Sequence, residues 1–187
     1  GATGTASGAP STLSGDTATL SGTGVTFPAG HIISFATGTL TRTSDLTISD
    51  GDYHLTDLSC DLVTTSTSNK IVVQYFIPDV NQLESTGNSI HLGVRYNVGT
   101  GAFDNSAAQT LGDRPYVTAY ENYFDNISDV PAFINSSYIM VTATVPTVNT
   151  LRLYPILKGF GGGVHIFDNA SNSDFDEASI IAYEIKQ

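Results

Sequence analysis

The chain has 187 residues, with 7 Lys plus Arg against 18 Asp plus Glu and a formal charge of −11, and its isoelectric point is near 4.3. Gripping nucleic-acid phosphates takes a dense cationic stripe, which seven bases scattered from Arg42 to Lys186 do not form, and an anionic membrane would repel the chain for the same reason. No stretch approaches the ~20 apolar residues of a membrane helix, so neither nucleic acid nor membrane insertion is expected.

Charged residues make up 13% of the chain, about half the usual ~25%. Gly (18), Ser (19) and Thr (24) fill the polar positions instead. Thr is β-branched, and Ser, Gly and Asn supply turns, so this composition suits strands over helices. The single cysteine, Cys60, rules out an intrachain disulfide, and packing and hydrogen bonds must hold the fold. The sequence opens on Gly1 with no basic-then-apolar leader, so the chain either starts after processing or needs no signal, and the absence of an initiator Met suggests processing or a numbering choice.

Residues 1–24 are small side chains with one charge, Asp16, and almost nothing large and apolar. They read as a low-complexity Gly/Ser/Thr arm or linker, unable to bury a core of its own but long enough to reach a neighbouring subunit. From Val25 to Gln187 strand patterns follow one another: 32–35, 53–58, 71–77, 90–96, 138–145, 151–154, 164–167 and 179–185, with weaker candidates at Leu40, Leu46 and Tyr116. Alternation is clearest at Ile90, Leu92, Val94 and Tyr96, which share one face and predict it to be buried, with His91, Gly93 and Arg95 on a wet reverse face. The same alternation puts Leu58, Cys60 and Leu62 together as core. Turn-rich stretches at 49–52, 85–88, 98–101 and 159–163 separate the runs.

No helical period appears. Many short strands without intervening helices predict an all-β fold, an antiparallel β-sandwich of the jelly-roll kind with about 8–10 strands. The immunoglobulin alternative lacks its Cys…Trp…Cys signature, since Trp is absent. Residues 99–136 are less regular and read as an insertion holding Phe103, Tyr116, Tyr120, Tyr123, Phe124 and Phe133. Such an aromatic group serves as a subunit interface, a small core beneath a loop, or a ligand contact.

The sequence carries no constellation for catalysis. His31, His54, His91 and His165 lack metal-ligand spacing, and there is no nucleophile elbow, phosphate loop or dinucleotide fingerprint. Carboxylates cluster at Asp50-Gly-Asp52 and along 168–177, and the second cluster fails the EF-hand spacing at Glu177 and Tyr183. No cofactor, no metal and no enzymatic activity are expected.

Gly24-Val-Thr-Phe-Pro-Ala-Gly-His-Ile-Ile33 resembles an opening motif of structural proteins from marine tailed phages. Asp57-Leu-Ser-Cys-Asp-Leu-Val-Thr64, Ser68-Asn-Lys-Ile-Val-Val73 and the ending Ala178-Ser-Ile-Ile-Ala-Tyr-Glu-Ile185 are similar to later segments of the same proteins. The family's Gly-Asp-Ala-x-Gly-x-Arg segment is reduced to Gly112-Asp113-Arg114, and the chain departs from the pattern through Phe133. The resemblance implies a tail-fibre or other virion-appendage domain, a homotrimer with a jelly roll like tumour-necrosis-factor and complement heads. It would sit on the particle surface, join other virion proteins through the N-terminal arm and touch a host-surface glycan or protein. Tyr116, Tyr120, Asn122, Tyr123 and Asp125 are the receptor-binding candidates, chosen because the sequence leaves the family pattern there and is aromatic. A capsid decoration or filament subunit, and a secreted bacterial carbohydrate-binding module, remain alternatives.

Overall fold

The computed structural model describes residues 28–42, 44, 46–48, 51–82, 89–116, 118–121, 132–160, 164–167 and 176–187. The arm at 1–24 lies outside them. Among the described residues there is no helix. The strands are β1 (Ile32–Arg42), β2 (Leu46–Ile48), β3 (Gly51–His54), β4 (Cys60–Val63), β5 (Lys70–Gln82), β6 (Ser89–Val98), β7 (Gln109–Thr110), β8 (Thr118–Glu121), β9 (Ala132–Thr144), β10 (Thr150–Phe160), β11 (Val164–Ile166) and β12 (Asp176–Ile185).

Pairing merges these twelve segments into eight ranks. β12 and β11 pair with successive stretches of β5, at 70–76 and 81–82, and β1 and β2 continue the same two ranks outward. β7 and β8 both line the same edge of β6, and β3 lies along β10 beyond β4. All the pairings are antiparallel. Numbering the ranks in chain order, the first sheet runs one, eight, three, six and the second runs two, seven, four, five. That interleaving is a jelly roll, as the composition and strand spacing predict.

The core fills the space between the sheets. Leu58, Cys60 and Leu62 are buried together, as are Ile90, Leu92, Val94 and Tyr96, opposite Ile71, Val73, Tyr75 and Ile77. Burial, with the Asp61 charge adding to it, pushes the Cys60 thiol up to about 12, so it packs as a small inert hydrophobe. At Gly38 a Cβ would stand 2.0 Å from the Ser59 carbonyl oxygen. Only a residue without one lets β1 pass beneath the turn that leads into β4.

Three differences from the sequence reading have physical causes. The 53–58 run is a strand only to His54; Leu55 and Leu58 reach the core from the following turn, where the Leu58 N–H donates to the Leu55 carbonyl. The strands ending before Pro78 and Pro155 by sequence run on through both prolines. Pro155 faces Val94 across the ladder, but the Val94 carbonyl accepts from Leu111 and the Pro155 carbonyl from Leu55. The pair is thus a non-hydrogen-bonded one, and the missing N–H costs the β6 ladder nothing. Finally, the irregular stretch 99–136 supplies β7, β8 and the start of β9.

One buried charge knots the ends of the sandwich. Glu184 on β12 is fully buried. Its carboxylate accepts the Thr65 N–H at 2.9 and 3.1 Å, the Ser66 N–H at 3.2 Å, the Thr65 hydroxyl at 3.1 Å and Asn69 Nδ2 at 2.7 Å. The Asn69 carbonyl then accepts from Val145 just past β9, and Asn69 Oδ1 accepts from the Gln187 N–H. The loop from β4 to β5 therefore folds around an anion that neutral donors stabilise. Removing the acceptor strands several buried donors, so Glu184→Ala is expected to lower stability by about 3 kcal/mol or more. Chemical denaturation checks this: a midpoint shift no larger than that of the exposed Asp57→Ala would contradict the role.

Candidate functional site

Each sheet turns one face away from the core, and the two faces differ in chemistry. On the first sheet, register aligns the outward residues of β1, β12, β5 and β9 into rows: Phe35, Tyr183, Val72 and Thr142, then Thr37, Ile181, Gln74 and Met140, then Thr39, Ser179 and Phe76. Phe35 is 74% exposed, Met140 57% and Ile181 42%. None of these rows carries a charge, although the chain is strongly acidic; Lys70 and Glu177 stand beyond them at opposite ends. Three large apolar side chains thus stand in the open on one sheet face.

The outward face of the second sheet is not the wet face that alternation predicts. Tyr154 and Ile156 point away from the core on β10 yet are fully buried, because the chain from Gly99 to Tyr116 crosses over them. The Phe103 ring meets Tyr154 edge-on at 5.1 Å, and the Arg152 guanidinium lies 5.1 Å from the other ring of that contact, Phe103. At Gly93 a Cβ would sit 2.1 Å from the Pro115 carbonyl oxygen. The missing side chain on β6 is what admits the overlying backbone.

Charge pins this cover in place. Tyr116 donates its hydroxyl to the Asp52 carboxylate and sets its ring edge-on to His91 at 5.6 Å. Asp52 also lies 3.8 Å from Lys158 Nζ and 3.9 Å from Arg95 Nη2, while Arg95 Nη1 donates to Thr110. Burial, then the Asp52 bond and charge, raise the Tyr116 phenol well above its usual range. Further along, Arg152 forks onto Asp61 at 2.7 and 2.8 Å and donates to the Gly101 carbonyl at 2.8 Å. That fork holds the Asp61 carboxyl below its ordinary value.

Of the receptor-binding candidates, Tyr116 is therefore committed to a clamp against the sheet. Tyr120 lies on β8 opposite Ile90. Asn122, Tyr123 and Asp125 lie outside the described residues, as does most of the 168–177 acidic run. Among the described residues no group of three or more His, Cys, Asp and Glu side chains comes together as a metal site. The sequence reading singles out Asp52 only as half of an acidic pair, and does not join it to Arg95, Lys158 and Tyr116. Their separations in the chain are long, and only the register of β3, β6 and β10 unites them.

These features define a jelly-roll β-sandwich with one outer face roofed by its own loop and the other carrying central rows without charge, in which Phe35, Ile181 and Met140 stand exposed. No protein-family model and no curated protein matches the chain.

His54 on β3 packs at 5.8 Å against the Tyr154 ring. Burial pushes its imidazole below 6.5, the Arg95 charge adds to this, and Asp52 opposes it. The unfolded chain thus takes up that proton first. Stability from the neutral imidazole is complete above the unfolded value and is lost as pH falls below about 6.5 toward the folded value. His54→Gln is expected to flatten the fall in Tm between pH 7 and 5. An unchanged slope, followed by thermal unfolding across that range, would rule out this residue as its source.

Proposed function

We propose that the chain is a non-enzymatic structural subunit of a virion, a tail-fibre or knob-type appendage that assembles as a homotrimer and presents its loops to a host surface. The observation that carries the assembly part is the set of uncharged central rows on the outer face of the first sheet, with Phe35, Ile181 and Met140 exposed on them. A chain with a formal charge of −11 repels its own copies wherever acids meet. The central rows of that face hold no acid and carry exposed apolar side chains, with Glu177 only at one end, so a second and third copy can pack there with little of that penalty.

The resemblance at residues 24–33, 57–64, 68–73 and 178–185 supports the virion class, and the jelly roll is the architecture that the resemblance implies. In this reading the arm at 1–24 joins other virion proteins and the particle surface is where the subunit sits. Host attachment by such an appendage works through many weak loop contacts multiplied by valency. Tyr120, Asn122, Tyr123 and Asp125 stay the candidates for them, while Tyr116 contributes by holding the loop to the sheet.

Light scattering on the purified chain tests the assembly. The expected mass is about three times the 19.7 kDa chain, and Ile181→Asp with Met140→Glu should return it to the monomer while leaving the far-ultraviolet circular dichroism unchanged. A monomer at every concentration would remove the homotrimer from this account.

A further inference from the structure

The roof over the second sheet closes on four buried polar atoms that have no protein partner: Tyr154 Oη, Arg95 Nε, His54 Nδ1 and Asn97 Oδ1. They are neighbours. Tyr154 faces Arg95 directly across the β10–β6 ladder, and Asn97 follows two residues along the same outward face. The His54 ring lies 5.8 Å from the Tyr154 ring. Asn97 Nδ2 donates to the Asp104 carbonyl at 2.9 Å, tying this spot to the loop above.

A single orphaned buried group costs stability, and orphans on adjoining residues can share a partner. The chemistry of the set narrows what that partner is. Arg95 Nε–H only donates. Asn97 Oδ1 only accepts, because the bond to Asp104 fixes which end of the amide is the oxygen. The Tyr154 hydroxyl does both, and neutral His54 supplies either a donor or an acceptor at Nδ1. An anion would meet a repelling carbonyl at Asn97, and a cation would meet the Arg95 guanidinium. A small neutral molecule that both donates and accepts suits each of them.

We propose that ordered water occupies this spot, bonded to Tyr154 Oη and to its neighbours among Arg95 Nε, His54 Nδ1 and Asn97 Oδ1. The water mortars the 99–111 segment onto the second sheet. A buried water typically makes about three such bonds and is costly to remove. The loop is then held by direct contacts at Phe103, Asp104, Thr110 and Tyr116, and the water adds to them beneath it. This inference is independent of the virion reading, since it concerns one subunit.

Two measurements on the intact chain test it. A crystal structure should show a water peak within about 3.2 Å of Tyr154 Oη and of at least one of the other three atoms. Tyr154→Phe keeps the packed ring and deletes one bond, so a hydrated site loses Tm, by about 2–4 °C for a domain of this size. In a dry site the same substitution removes an unsatisfied hydroxyl, and Tm rises or stays. A missing peak, or a Tm that does not fall, overturns the proposal; the peak together with the fall supports it.

Discussion

Successive side chains of a strand point to opposite faces, so two stacked sheets have four faces and bury only two of them against each other. The use made of the other two determines most of what distinguishes this chain. On the second sheet the chain covers its own outer face: residues 99–116 cross back over β6 and β10, and Gly93 leaves the room for them. On the first sheet the outer rows of β1, β12, β5 and β9 hold Phe35, Ile181 and Met140 in the open.

The two solutions differ in energetics. The roof combines aromatic contacts through Phe103 with the Tyr116 bond to Asp52, whose half-exposed ion pairs with Arg95 and Lys158 contribute little each, about 0–1 kcal/mol. It gains geometry more than energy from them. The Glu184 knot is different in kind, because its carboxylate is sealed from water and every bond it accepts is strengthened by the low dielectric around it. That knot sits where ranks two, three, six and eight converge, so it closes the same end of the sandwich from which the first sheet's apolar rows begin.

Much of the architecture is legible in the sequence. The run from Ile90 to Tyr96 alternates cleanly, and Cys60 lies on a face with two leucines, so both faces were assignable as core from period alone. The prolines misplace strand ends, because a local rule cannot tell that the Pro155 position faces a non-bonded pair. The reverse face of β6 reads as wet since His91 and Arg95 are polar; nothing local shows that Tyr116, Thr110 and Asp104 will fold over it. Asp52 illustrates the same limit. Its acidity is plain from sequence, but its partners Arg95, Tyr116 and Lys158 come from three distant segments brought together by topology.

The central claim is that the outer face of the first sheet packs against other copies of the chain. Met140 lies in the middle row of that face and is the chain's one methionine, 57% exposed in the single subunit. Its rate of oxidation by peroxide, read by mass as sulfoxide, therefore reports on that face alone. The account predicts slow oxidation at concentrations where the chain is assembled and a rate approaching that of free methionine on dilution. Rapid oxidation at every concentration would contradict it.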